Sequence, residues 1–192
     1  MQKIKLDKSL FCLPWTQTLL GSHVNGKVNF MALDWLTRVN YEPAMLGICV
    51  NRNHVTNEAI RRTGEFSVNV PSEDMVAITD YCGIASAKTS DKSALFDVFY
   101  GELKAAPMII ACPLNIECNV VQSVDLPTNT FFIGEIRTIY SEEQFVTAGK
   151  PDPKKMRPFL LTMPDNRFWS LGNQVGNAWK DGLKYRDQLG RQ

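Results

Sequence analysis

Apolar residues in this chain fall into short blocks separated by turn-forming residues. The first two blocks, Thr16 to His23 and Lys27 to Leu33, flank Asn25-Gly26, a dipeptide suited to the positive φ angles of a tight hairpin turn. They predict a hairpin. Tyr41-Glu42-Pro43 punctuates the chain before Ala44 to Val50, whose Met45, Leu46, Ile48, Cys49 and Val50 read as a strand buried on both faces. Glu65 to Val70 predicts another strand. In Pro113 to Val121, Ile116, Cys118 and Val120 alternate with Glu117 and Asn119, the period of a half-buried strand. Pro127-Thr128-Asn129 turns it back into Thr130 to Tyr140, and Pro158 to Thr162 is shorter.

Helices are fewer. Thr56 reads as an N-cap, with Glu58 in the first turn, Arg61 and Arg62 in the last and Gly64 past the end. Pro71-Ser72 opens a second helix, with Glu73 and Asp74 in its first turn and Gly83 as its stop. Asp91 is read as capping a brief helix through Phe96, and Asp152-Pro153 as a helix start. The segment Phe168 to Lys180 reads as an aromatic strand end running into a helix despite its glycines. Seven or eight strands with two or three short helices predict an antiparallel barrel, closed or partly split.

The length of 192 residues fits one domain over 1–192 with a real core. Hydrophobic residues at 44%, charged residues at 21% and a net charge of +1 argue against disorder. They also give no overall bias toward nucleic acid or an anionic membrane. Cys12, Cys49, Cys82, Cys112 and Cys118 are odd in number and widely spaced, which predicts reduced thiols in a cytoplasmic protein rather than disulfides or zinc. The apolar run Leu10 to Leu13 is cut by Pro14 and is too short for a signal peptide. No stretch approaches a membrane-spanning length.

Two stretches carry candidate chemistry. Asn51-Arg52-Asn53-His54 ends a buried strand just before a helix, so free helix N–H groups and a guanidinium form a candidate phosphate site. A solvated turn and a helix cap remain alternatives. Met31 to Thr37 reads from its pattern first as core strand with Trp35 inside. The functional alternative is a wall against a planar heteroaromatic ligand, with Trp35 stacking and Asp34 or Thr37 bonding a ring edge. Ser86, Lys88 and Lys92 lie in a hydroxyl- and lysine-rich loop suited to closing over an anion, though solvated lysines are the commoner case. His23 and His54 have no partner at metal-ligand spacing, so no metal is expected. Motifs of serine hydrolases, P-loops and dinucleotide-binding folds are absent. Cys82, at a helix end, is a poor nucleophile and is read as a packing or backbone-contact residue. A non-redox β-barrel binding module remains open.

Several segments together resemble the flavin reductase-like, FMN-binding split-barrel family, and within it the flavoredoxin-like branch. They are Gly21-Ser22 with Asn29-Phe30-Met31-Ala32, Tyr41-Glu42-Pro43-Ala44, Gly64 to Ser72, Tyr81-Cys82-Gly83 with Ser86 and Asp91-Lys92, Ala111 to Cys118, Phe132-Ile133-Gly134-Glu135, and Leu171-Gly172-Asn173 with Val175 to Ala178. The resemblance implies a mainly β fold, a six-stranded antiparallel Greek-key split β-barrel with a few short helices. It implies a homodimer holding FMN near the interface, and an oxidoreductase that takes electrons from NAD(P)H or a redox protein. The carrier alternative binds FMN tightly without NAD(P)H turnover.

It also assigns roles. Met31, Ala32, Leu33, Asp34, Trp35 and Thr37 would face the isoalloxazine, largely through backbone groups, while Asn51, Arg52, His54 and Thr56 would hold ribityl and phosphate oxygens; Asn29, Asn53, Asn57 and Cys82 are counted among the cofactor-binding residues. Ser86, Lys88 and Lys92 would close the site, and Phe168 and Trp169 would cover the ring, from their own or the partner subunit. No catalytic side chain is implied, because the flavin carries the redox chemistry. The bulk at Leu33-Asp34-Trp35 departs from the small or hydroxyl residues common beside the ring in relatives.

Overall fold

The computed structural model describes residues 2–10 and 13–189, so Cys12 lies outside the described residues. Strands β1 (Thr18–Val24) and β2 (Lys27–Leu33) form the expected hairpin, with Thr18 opposite Leu33 and Val24 opposite Lys27. Asn25 at φ 53 and Gly26 at φ 79 supply the two positive angles that this turn requires. Strands β3 (Leu36–Asn40) and β4 (Met45–Asn51) follow, and β4 leads into helix α1 (Val55–Thr63). Strand β5 (Glu65–Val70), helix α2 (Val76–Ile84), and the long strands β6 (Leu114–Asp125) and β7 (Asn129–Ser141) complete the frame.

These strands make one seven-stranded antiparallel sheet in the order β2-β1-β5-β6-β7-β4-β3. The connections from β2 to β3 and from β4 to β5 join strands that are not neighbours in the sheet, as in a Greek-key barrel. A three-stranded side sheet joins Trp15–Thr16, Phe159–Thr162 and Arg167–Ser170. Alternation along β1 divides the core. Leu20 packs with Leu33, Ile48, Val50, Ile60, Phe66 and Phe132, while its neighbour Leu19 packs with Phe30, Cys82, Ile109 and Cys112.

Four local expectations are corrected. Helix α1 begins at Val55 with His54 at the cap position, so Thr56 lies inside the first turn. The Asn51 carboxamide accepts from Asn53 N–H at 2.9 Å and turns the chain there. Helix α2 runs through Gly83 to Ile84, preceded by a 3₁₀ turn at Glu73–Met75. Gly83 instead permits close approach, since a Cβ there would lie 3.3 Å from that of Ala32 on β2. After Asp91 there is no helix, because its carboxylate accepts from the backbone and hydroxyl of Ser93 at 2.9 and 2.6 Å. Beyond Ser170 the chain is irregular or turning through 182, with a helix only at Leu183–Leu189. Exposed glycines cost helix stability there, and no packed face repays it.

Candidate functional site

The middle of β2, the start of α1, the end of α2 and the loop after it enclose a cavity of about 290 Å³. Strand alternation gives it Asn29 and Met31, the turn before α1 gives Asn53 and His54, and Thr56 enters from the first helical turn. Cys82, Ser86, Lys88 and Lys92 close the other side.

Polar atoms in this cavity are unevenly satisfied. Asn29 is buried; its Nδ2 donates to Thr56 Oγ at 3.2 Å, while its Oδ1 is buried without a partner. A buried carbonyl oxygen left so costs about 1–3 kcal/mol. Lys92 is also buried, and its Nζ donates to the carbonyls of Cys82 at 3.3 Å and Ala85 at 3.0 Å. It thereby satisfies the end of α2 and holds a cation against the cavity. Burial lowers the Lys92 pKa, with the nearby Cys82 partly opposing. Lys88 is exposed, the commoner case, and Lys92 is not.

Burial also pushes the Cys82 thiol up, the Lys92 charge acting against it, so the thiol is protonated and not a nucleophile at neutral pH. His54 Nδ1 lies 3.1 Å from Met31 Sδ. Partial burial, and then repulsion from Lys88 and Lys92, lower the His54 pKa. At the outer edge, Lys27 and Asp91 pair at 2.6 Å, tying the loop to the first hairpin.

A second cavity of about 330 Å³ adjoins the first across Gly83 and is lined by Ala32, Asp34, Gln17, Asp80 and Phe168 among others. Asp34 Oδ2 is buried without a partner, and burial raises the Asp34 pKa. The remaining candidates lie elsewhere. Leu33 is in the core, and Asn57 is buried with its amide donating to Val50 O at 2.9 Å and its carbonyl accepting from Arg61. Trp35 and Thr37 line a separate apolar groove; Trp35 is half exposed rather than buried in the core. Asn51, Arg52 and Asn53 share a separate recess of about 410 Å³ with Pro127 and Thr128, which has only Asn53 in common with the lining of the first cavity. Trp169 is exposed and donates from its indole to Thr162 Oγ at 2.8 Å. Sequence reasoning passed over Gly83, Ile84, Ala85 and Ala87, which line the main cavity. Their position between Cys82 and Lys92 was the available signal.

Among the described residues, no group of His, Cys, Asp and Glu has the arrangement of a metal site, and no helix is long and apolar enough to cross a membrane. The family model described as the flavin reductase like domain matches residues 10–153. The chain belongs to the flavin reductase-like family. The flavoredoxin of Methanosarcina acetivorans superposes with a TM-score of 0.94 at 55% identity, covering 96% of this chain and 100% of that one. The flavoredoxin of Desulfovibrio vulgaris (Miyazaki F) gives 0.87 at 25% identity, covering 94% and 100%. A ferric-chelate reductase (NAD(P)H) of Archaeoglobus fulgidus is 24% identical over 61% of this chain and 70% of its own.

The mainly β split-barrel architecture expected from the sequence is therefore the architecture of this flavin reductase-like chain. The family is flavin-binding and of oxidoreductase type. The cavity residues fit such a group: Asn29 Oδ1 lacks a donor, Asp34 Oδ2 lacks one beside it, and Lys88 and Lys92 leave positive charge at one end.

Proposed function

We propose that this flavin reductase-like chain is a single-domain, FMN-dependent oxidoreductase of the cytoplasm, working as a homodimer. It takes electrons from NAD(P)H or a redox protein and passes them to a second acceptor. The observation that carries the reading is one cavity joining the unpartnered Asn29 carbonyl to the Lys88 and Lys92 cations. A phosphate ester belongs at the lysine end, and ribityl hydroxyls or ring N–H groups beside Asn29 and Thr56. The described cysteines are free, as a reducing compartment allows.

A bound flavin supplies the hydride and one-electron chemistry that side chains lack. The chain supplies placement. Lys88 and Lys92 hold negative charge, Asn29 accepts one ligand donor, and the contact of Gly83 with Ala32 lets α2 close against β2. The adjoining cavity at Ala32, Asp34 and Phe168 gives a second reactant room to approach. Kinship with flavoredoxins favours a second reading, an electron carrier without NAD(P)H turnover.

The absorbance spectrum of the purified protein, followed anaerobically with NADH and NADPH, tests both. A flavin spectrum bleached by either nicotinamide is the expected result. A spectrum bleached only by a reduced redox protein selects the carrier, and a colourless protein that fails to bind FMN on titration overturns the proposal.

A further inference from the structure

The described residues from Leu171 to Leu189 form an arm that stands off the body. Every side chain whose exposure is defined there is exposed, and a Cβ added at Gly172 or Gly182 would meet nothing within 4 Å. The hydrogen bonds of Gln174, Asn177 and Asp181 join arm residues to one another. Yet large apolar side chains recur along the arm, among polar and charged ones. Val175 is 101% and Trp179 93% exposed, and Leu171, Leu183, Tyr185 and Leu189 are exposed as well. Trp179 also holds φ 60, a left-handed angle that bulky residues rarely adopt without support.

On the body, Trp15, Trp35, Leu36, Cys49 and Phe131 line an apolar groove of about 270 Å³, with Thr37 at its side. Val39 and the nearly uncovered Tyr41 extend the exposed apolar surface along β3 and its turn. One chain thus carries both an uncovered apolar arm and an uncovered apolar groove.

We propose that the arm of each copy lies in the Trp15–Trp35–Phe131 groove of a second copy of this chain. This rests on the homodimer reading and specifies the surface that makes it. A partner of the same sequence is favoured because both complementary features sit on every molecule, so a two-fold exchange closes without leaving either uncovered. An apolar arm awaiting a scarce partner would be an aggregation liability. The area is sufficient: several large apolar side chains at about 150–250 Å² for each aromatic approach the roughly 800 Å² per partner of a stable interface. Reach is sufficient too, since an extended chain spans about 3.3 Å per residue and Trp179 lies well beyond Ser170, the end of the side sheet. The match to the Methanosarcina acetivorans flavoredoxin leaves too few residues over to omit the arm. The exchange would also complete the site. Trp35 and Thr37, implied by family resemblance to face the ring, line the groove and would gain a cover that their own chain does not give them.

The test places the photo-crosslinking residue p-benzoylphenylalanine at Trp179 in the full chain, with solution mass measured by light scattering before irradiation. Expected are a dimer, an adduct at twice the chain mass on a denaturing gel, and attachment to peptides containing Trp15, Trp35 or Phe131. A dimer whose adduct runs at single-chain mass, or maps to another surface such as residues 2–10, overturns the arm exchange and leaves the dimer reading intact. A monomer overturns both. As a second measurement, Val175→Asp with Trp179→Ser raises the dimer dissociation constant at least a hundredfold. An unchanged dissociation constant refutes the proposal even if cross-linking fails.

Discussion

Asn29 separates binding from stability because its two amide atoms have opposite situations in the ligand-free protein. Consider Asn29→Leu, which keeps the volume and removes both polar atoms. The substitution loses the 3.2 Å bond to Thr56, about 1 kcal/mol, and removes the unpartnered buried Oδ1, worth about 1–3 kcal/mol in the other direction. These terms nearly cancel. The apoprotein should therefore melt within about 4 °C of the parent, since 1 kcal/mol moves the midpoint by about 2–4 °C in a domain of this size. Binding behaves otherwise. A ligand N–H or O–H that met Oδ1 would face a methyl group instead, at a cost of about 2 kcal/mol, or roughly thirtyfold in Kd. Thermal unfolding followed by circular dichroism gives the first quantity, and quenching of flavin fluorescence on titration gives the second. With Asn29 beside the ribityl or ring atoms, as proposed, FMN and riboflavin should lose affinity alike. An apoprotein weakened by more than about 3 kcal/mol, with Kd for both flavins unchanged, would refute the reasoning, since Oδ1 would then be serving the fold.

The two cations flanking the pocket are separable in the same titration. Lys88→Ala should weaken FMN about tenfold and riboflavin little, a charge-assisted contact discounted for exposure; Arg52→Ala should do less, because Arg52 opens on the neighbouring recess. The reverse order would return the phosphate to Arg52. For pH, the folded state lowers the His54 pKa, so the unfolded chain binds the proton more readily and stability rises with pH through the window below the unperturbed 6.5. Acidifying the apoprotein from pH 7.5 to 5.5 should therefore cost the parent more unfolding free energy than His54→Gln, as read by urea titration. Equal losses would show that His54 is not held neutral by its surroundings.

The features legible in the sequence were those set by local pattern. Asn25-Gly26 needs no context to form its turn, and the alternation of Ile116, Cys118 and Val120 announces a strand whichever partner it meets. Gly64 likewise stops α1 through its own φ of 70. What escaped was set by contacts between segments distant in sequence. Gly83 looks like a stop and is a point of helix–strand contact, because Ala32 comes against it only after β2 and α2 are packed. Lys92 looks like a solvated loop lysine, and only the folded loop shows that the carbonyls of Cys82 and Ala85 take the bonds that water would otherwise supply. Trp35 runs the other way. Its apolar neighbours predict burial, but Leu33 takes the core position and the connection between β2 and β3 leaves Trp35 half exposed, where two tryptophans and Phe131 form the walls of one groove. A contiguous apolar surface left exposed in this way is the mark of an interaction site. Leu33 and Trp35 therefore mark where the pattern of a single chain stops predicting burial.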